Sequence, residues 1–316
     1  MPKHHRPRKG SLAFWPRRRA SKPRAQVKNW AQIEEPKPVG FVAYKVGMAL
    51  AIIIDNRANS PTANEKISLP ITILEAPPLK LVGAVGYVKT PYGLKTKTTF
   101  LSAELPKELA RLISMPKKIK VKLDDLKTAG EIRALLATQP KLAGFGRKKP
   151  ELVEIPIGNN LESQFDFIKN NLGREIRVEE VLKAGNQIDV HSITKGKGIQ
   201  GPVKRFGLAI RQHKAEKTKR GPGSLGPWTG AKTWRSPHMG QQGYQQRTEY
   251  NKWLIKIDKP INPIAGWRRY GLVRSSSLVV KGSIAGPPKR TIIISKAIRP
   301  NKKTPPIPPQ IVEICL

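Results

Sequence analysis

Apolar and polar positions along this chain follow two different periods. Residues 41–44, 48–55, 69–75 and 79–89 are β-branched-rich runs separated by Gly, Pro, Asn or Asp, which predicts four strands with short connections. Residues 106–115, 124–137 and 160–171 instead repeat apolar positions three and four apart, the last around Leu161, Phe165 and Ile168, which predicts helices. Asp124 and Asp125 suit a helix N-terminus. Strand character returns at 188–194, 253–257, 277–284 and 291–298, and the Pro-rich stretch 300–309 reads as extended chain. The strands on either side of the helical stretch should close on one another, most simply as a small antiparallel barrel.

One long segment fits neither period. Residues 194–256 hold ten glycines and six aromatics with almost no apolar periodicity. A structureless insertion of that length inside a compact domain is reasonable only if it folds against a partner. Charge says which partner. The chain carries 59 Lys and Arg against 22 Asp and Glu, a net +37. Self-repulsion of that size is relieved by a polyanion, and nucleic acid is the commonest one. Hydrophobic residues make up 38% and cluster in the strand-like runs, so part of the chain is folded core and part is basic arm.

The charge is unevenly spread. Residues 1–28 hold ten basic residues and no acid, among them Arg6, Arg8, Lys9, Arg17, Arg18 and Arg19, with four prolines that interrupt any helix. Residues 100–190 are nearly balanced, with 13 acids and 16 bases, and residues 194–256 carry 14 bases against two acids. The resulting organisation is an N-terminal basic extension (1–38), a first part of the barrel (39–100) and an inserted α+β lobe (101–186). A barrel strand (187–195), an internal basic extension (196–250), the rest of the barrel (251–300) and a Pro-rich tail (301–316) follow. Within the lobe, residues 144–150 form a basic loop.

Other chemistries are weak. The single Cys315 allows neither a disulfide framework nor a cysteine zinc site, which fits a reducing compartment. The basic N-terminus has no apolar stretch behind it, and the longest apolar run, 48–54, is too short to span a bilayer. Gly196, Gly198 and Gly201 match the dinucleotide fingerprint G-x-G-x-x-G after a predicted strand. No βαβ alternation follows, however, and Pro202 comes directly after the third glycine. Close approach of backbone to phosphates, with charge from Lys195 and Lys197, explains these glycines better. His4 and His5 lie in the arm, His191 sits on a strand as a structural residue, and no Cys or carboxylate accompanies His213 or His238. The adjacent pairs Asp124–Asp125 and Glu179–Glu180 diverge on a helix and read as caps or solvated faces.

The internal extension is the informative piece. Lys204, Arg205, Arg211, Lys214, Lys217, Lys219, Arg220, Lys232, Arg235 and Arg247 alternate with Phe206, Trp228, Trp234, Tyr244 and Tyr250. RNA rewards cations interleaved with flat rings, because it offers phosphates and unstacked bases together. Trp228 stands between Gly226-Pro227 and Thr229-Gly230 with no apolar neighbour in sequence, whereas Phe206 and Trp253 could equally be core.

At these residues the chain resembles a known family. Arg6-Pro-Arg-Lys-Gly-Ser11, Pro16-Arg-Arg-Arg19, Gly40-Phe-Val-Ala-Tyr-Lys-Val-Gly-Met48 and Glu75-Ala-Pro-Pro78 all resemble motifs of the large-subunit ribosomal protein L3 family in its archaeal form. So do Thr194-Lys-Gly-Lys-Gly-Ile-Gln-Gly-Pro-Val-Lys-Arg205, Gly240-Gln-Gln-Gly-Tyr-Gln-Gln-Arg-Thr248 and Val280-Lys-Gly-Ser-Ile-Ala-Gly-Pro287. The resemblance implies a structural rRNA-binding protein without enzymatic activity: a six-stranded, Greek-key-like barrel with an inserted α+β lobe. It also implies two extensions that run through rRNA towards the peptidyl-transferase region, a role in early subunit assembly, and Trp228 at the tip of the internal extension. Where the family continues Gly-Met with threonine, this chain has Ala49 and Leu50. The modified histidine of eukaryotic members aligns near Lys219, so that modification should be absent.

The expectation is therefore a mainly β protein of the large subunit, on cytoplasmic ribosomes. Its partners would be large-subunit rRNA and neighbouring ribosomal proteins, with no membrane, no homo-oligomer, no metal and no cofactor. The rRNA-facing set is the arm residues Arg6, Arg8, Lys9 and Arg17 to Arg19, then Lys195 and Lys197, the ten cations of the extension, and Trp228, Trp234 and His238. The rival readings are an RNA-modifying or dinucleotide-dependent enzyme built around Gly196 to Gly201, and a free nucleic-acid chaperone.

Overall fold

A computed structural model describes residues 9–116, 121–214, 218–228, 230 and 235–316. The chain forms two compact units. One comprises Arg24–Ser192 with Thr248–Leu316, the other Met1–Pro23 with Ile193–Arg247. In chain order the elements are β1 (Gly40–Ile54), β2 (Lys66–Ala76), β3 (Leu79–Thr90), β4 (Gly93–Leu101), β5 (Glu131–Ala137) and β6 (Leu152–Pro156). Then come α1 (Leu161–Asn171), β7 (Glu175–Ile176), α2 (Val178–Val181), β8 (Gln187–Ile193), β9 (Ile199–Gln200) and α3 (Pro202–Phe206). The last are β10 (Gly240–Gln241), β11 (Gln246–Asp258), β12 (Ser276–Lys281), β13 (Thr291–Lys296) and β14 (Ile311–Cys315).

In the larger unit six strands close into a ring, in the order β1, β2, β12, β11, β8, β13 and back to β1, with β14 added beside β1. The pairs β1–β2, β2–β12, β12–β11, β8–β13 and β13–β1 are antiparallel. In a six-membered ring that forces β8 and β11 to be antiparallel as well. The expected closure of early strands on late ones is thus present. β13 and its neighbours are β-branched because both faces are packed: Ile292 and Ile294 are wholly buried, as are Leu254, Leu278 and Val280. Fully burying each such side chain stabilises the fold by roughly 1.5–3 kcal/mol.

A second sheet of β4, β3, β5 and β6, with β7 against β3, begins two residues after β2 ends. Pro77 and Pro78 have no N–H to give, so the β2 ladder stops and the chain turns into β3. Within residues 39–100, therefore, only β1 and β2 enter the ring. One buried cluster runs from the ring (Phe41, Leu74, Ile294) into this sheet and α1 (Leu81, Ile132, Phe165, Ile168).

Several predicted elements are corrected. Residues 41–44 and 48–55 are one strand, because the register slips by one residue between Lys45 and Gly47 and pairing with β2 resumes. The helix expected at 106–115 is a single 3-10 turn, Lys107–Arg111, with Leu109 buried. Residues 124–137 divide into a 3-10 turn, Leu123–Thr128, and the strand β5. A run containing Leu126, Ile132, Leu135 and Leu136 satisfies either period, and hydrogen bonding to β3 and β6 decides for the strand. The helix over 160–171 is α1. Strands β4, β6 and β14, and the two-residue β7, β9 and β10, had no sequence-based counterpart. β4 reads Gly-Leu-Lys-Thr-Lys-Thr-Thr-Phe-Leu and is exposed along most of its length, so it lacks the apolar alternation that reveals a strand.

Candidate nucleic-acid interface

The smaller unit is built on a two-limbed ribbon. Thr194 N–H donates to the Gln245 carbonyl (3.0 Å), Tyr244 N–H to Lys195 (3.2 Å), Lys197 N–H to Gln242 (3.0 Å) and Gln242 N–H to Gly198 (2.9 Å), after which β9 pairs with β10. Gly243 has φ +70°, and a Cβ there would lie 2.0 Å from the Lys195 carbonyl oxygen, so only glycine lets the limbs approach. Beyond β9 the chain makes the single-turn α3, with Pro202 in its first turn, and ends it at Gly207 in the left-handed region.

The N-terminal segment is stitched onto this ribbon. Arg17 donates from Nη1 to the Arg205 carbonyl (3.0 Å), and its guanidinium lies 4.2 Å from the centre of the Phe206 ring. Trp15 also stacks on Phe206, with ring centres 6.0 Å apart and planes at 19°. Arg205 donates to the carbonyls of Gln241 (3.1 Å) and His238 (3.0 Å), so it bridges both limbs and also faces Phe206. Ala20 N–H bonds the Tyr244 carbonyl (2.8 Å), Arg19 sits 5.3 Å over the Tyr244 ring, and Arg247 lies 4.8 Å over Phe14. Phe206 is buried as a result. Phe14 and Trp15 were missed in the sequence; an adjacent aromatic pair inside a basic arm is the signal that could have found them.

These contacts divide the anticipated residues. Arg17, Arg205, Arg211, His238 and Arg247 are half-buried. Arg17 gives Nη1, and Arg205 gives Nε and Nη1, to carbonyls inside the unit, and desolvation, then the neighbouring Arg17 charge, pull the Arg205 guanidinium below its ordinary value. Lys9, Arg18, Arg19, Lys195, Lys197, Lys204, Lys214, Lys219, Arg220 and Arg235 are exposed. Trp228 is 93% exposed between Gly226 and Gly230, both at positive φ. Arg6, Arg8, Lys217, Lys232 and Trp234 lie outside the described residues, as do His4 and His5. In sequence the unit holds twenty Lys and Arg and one acid, Glu216.

The fingerprint glycines belong to this ribbon. No described βαβ unit follows Gly201, and a Cβ at Gly198 or Gly201 would meet nothing within 4 Å. His191, in the larger unit, is buried and shares hydrogen bonds with the hydroxyls of Thr248 (3.0 Å) and Ser295 (3.2 Å); desolvation lowers its pKa. It is a structural group, as expected. Among the described residues no helix is long and apolar enough to cross a membrane.

The family model described as Ribosomal protein L3 matches residues 1–312. The large ribosomal subunit protein uL3 of Methanosphaera stadtmanae is 43% identical over 315 residues, covering 95% of this chain and 94% of the relative. Those of Methanothermobacter thermautotrophicus and Archaeoglobus fulgidus are 41% and 42% identical, each over 95% of this chain and 94% of the relative. The match over nearly the whole chain and the full-length similarity to these relatives lead to one conclusion: the chain belongs to the ribosomal protein L3 family.

Proposed function

We propose that this chain is a structural constituent of the large ribosomal subunit whose smaller unit anchors it to rRNA. It is not an enzyme; its relatives are named as ribosomal proteins. The observation that supports the rRNA reading best is the ribbon itself. Two segments far apart in sequence are held together by backbone bonds and by Arg17 and Arg205, which leaves a surface of exposed cations with one acid in the whole unit. Packed rRNA helices repel one another, and lysines, arginines and backbone N–H groups neutralise that repulsion without needing solvent cations.

In this reading Lys9, Arg18, Arg19, Lys195, Lys197, Lys204, Lys214, Lys219, Arg220 and Arg235 contact phosphate. Arg17, Arg205, Arg211, His238 and Arg247 shape the ribbon that presents them, and Arg6, Arg8, Lys217, Lys232 and Trp234 extend the same surface. Residues 1–38 and 196–250 act as the two extensions, and Trp228 reaches the region around the peptidyl-transferase centre. The chain supports early subunit assembly and works in the cytoplasm beside other large-subunit proteins.

Two measurements test this. On sucrose gradients the chain should co-migrate with large subunits after a high-salt wash; recovery only in the soluble fraction rejects it. With about ten phosphate contacts, log K for rRNA should fall with log salt at a slope of roughly −7 to −9. A slope near −2 would exclude the basic surface as the main contact.

A further inference from the structure

Two features of the larger unit are unused by this reading: the Glu75-Ala-Pro-Pro turn and the basic loop at 144–150. They meet. Glu75 is fully buried at the end of β2 and accepts four hydrogen bonds. One oxygen takes the N–H groups of Arg274 (2.7 Å) and Ser275 (3.0 Å); the other takes the Gly144 N–H (3.1 Å) and the Tyr270 hydroxyl. A single carboxylate therefore ties the loop after β5 to the loop between β11 and β12. The loops also touch backbone to backbone, since a Cβ on Gly144 would lie 1.6 Å from the Leu272 carbonyl oxygen. Phe145 fills the space below, edge-on to Tyr44 (4.9 Å) and Tyr270 (5.3 Å). Asn262 exchanges two bonds with Val273, and Trp267 bonds the Ile261 carbonyl (2.9 Å).

What this clamp displays is charge. Lys141, Lys148, Lys149, Arg268, Arg269 and Arg274 are all exposed on the two loops, and residues 139–150 and 259–276 contain no acid. Lys141 lies 3.7 Å from Glu108, and Arg147 is held by the buried Glu151; among the described residues no ion pair holds the other five. Arg269 keeps a left-handed backbone (φ 63°) at the turn Trp267–Gly271, a conformation that persists only where the surroundings enforce it. A solvated charged face needs no such scaffold. Ile264 and Leu272 stand exposed among these cations, so the surface offers guanidinium and ammonium groups to phosphate and apolar atoms to sugar. An A-form RNA duplex presents both along its minor groove.

We infer that the paired loops 141–149 and 261–275, preorganised by Glu75, form a second rRNA-docking surface that grips duplex backbone independently of the smaller unit. The inference rests on the reading that the chain binds large-subunit rRNA.

The test compares three full-length proteins binding purified large-subunit rRNA across a salt series: the wild type, Lys148→Ala/Lys149→Ala/Arg268→Ala/Arg269→Ala, and Lys195→Ala/Lys197→Ala. All substituted side chains are exposed, and unchanged thermal melting establishes that each variant folds. Four lost phosphate contacts should flatten the salt slope by about 3, and two by about 1.5, at ~0.7–0.9 per contact. In the wild-type complex Lys148 and Lys149 should be protected from acetylation. If the ribbon variant flattens the slope and the loop variant does not, the second surface is refuted while the rRNA reading stands. If neither does, both fail. A loop variant that binds rRNA normally but is excluded from subunits would make this surface a protein contact and overturn the inference.

Discussion

Glu75→Gln is the sharpest single perturbation of this fold, because it keeps the side chain's shape and changes one oxygen into a donor. The amide oxygen can keep the Arg274 and Ser275 N–H groups. Its nitrogen then faces the Gly144 N–H, donor against donor, 3.1 Å away in the present geometry. Leaving a buried donor unsatisfied costs about 1–3 kcal/mol. The Tyr270 hydroxyl can turn to accept from the amide, but it exchanges a charged partner for a neutral one, which costs about 1 kcal/mol more. The expected loss is therefore ~2–4 kcal/mol, a large share of the ~5–15 kcal/mol that holds a typical domain folded. Tyr270→Phe removes one donor and leaves three on the carboxylate, so it should cost less, about 1–2 kcal/mol.

Urea unfolding of the full chain gives the totals, and amide hydrogen exchange locates them. Faster exchange should concentrate at residues 142–146 for Glu75→Gln, with residues 274–275 still protected. Equal stability of Glu75→Gln and wild type would refute the clamp. So would an exchange increase spread evenly over the ring strands, since the loss would then not be at the joint between the loops.

Other outcomes follow from the same geometry. Arg17→Ala should loosen the N-terminal segment by about 1–2 kcal/mol through the lost charged hydrogen bond and ring contact, raising tryptic cleavage at Arg18 and Arg19; Arg17→Lys should fail to restore protection, and unchanged cleavage in both would reject the anchor. Burial holds the folded His191 pKa below the unfolded value of ~6.5, so its contribution is complete above that pH and is lost as pH falls through it towards the folded pKa. His191→Gln should flatten the stability decline between pH 7 and 5, and an identical decline in the variant would contradict the assignment. Hydrogen bonding to Arg57 holds Asp55 far below the usual carboxylate range, so its share of stability should persist above pH ~4 and disappear only in much stronger acid; an Asp55→Asn protein whose acid profile matches wild type would refute this. Trp228→Ala should still enter subunits, since stacking of one base is worth ~1–3 kcal/mol, but should alter rRNA reactivity around the catalytic centre; unchanged reactivity and unchanged translation would remove Trp228 from any functional tip.

The ring was legible because its strands are buried on both faces, so composition alone marks them: Thr291 to Ser295 could hardly be anything else. α1 was legible because its period and its burial agree at Phe165 and Ile168. β5 was misread because Leu135 and Leu136 serve either period, and the ladder that decides between them lies about fifty residues upstream in β3. β14 escaped for a related reason. Ile311 to Cys315 is short and mostly exposed, and it is a strand only because β1 offers an open edge there.

At the interface, residue types were legible and their division of labour was not. Charge counting treats Arg17, Arg205 and Lys195 alike, yet they do different work. Arg17 reaches a carbonyl 188 residues away, a pairing that leaves no local trace in the sequence. Arg205 follows the outgoing limb and donates to two carbonyls at the returning one, while Lys195 gives its carbonyl to the ribbon and leaves its ammonium exposed. The number of cations therefore overstates the number of phosphate contacts, and the salt slope should report the smaller number. The same distinction separates two kinds of variant. Removing an exposed lysine should lower the slope by about one contact and leave the fold intact. Removing Arg17 or Arg205 should disturb several contacts at once through the ribbon, so its effect on affinity should exceed that of any single lysine.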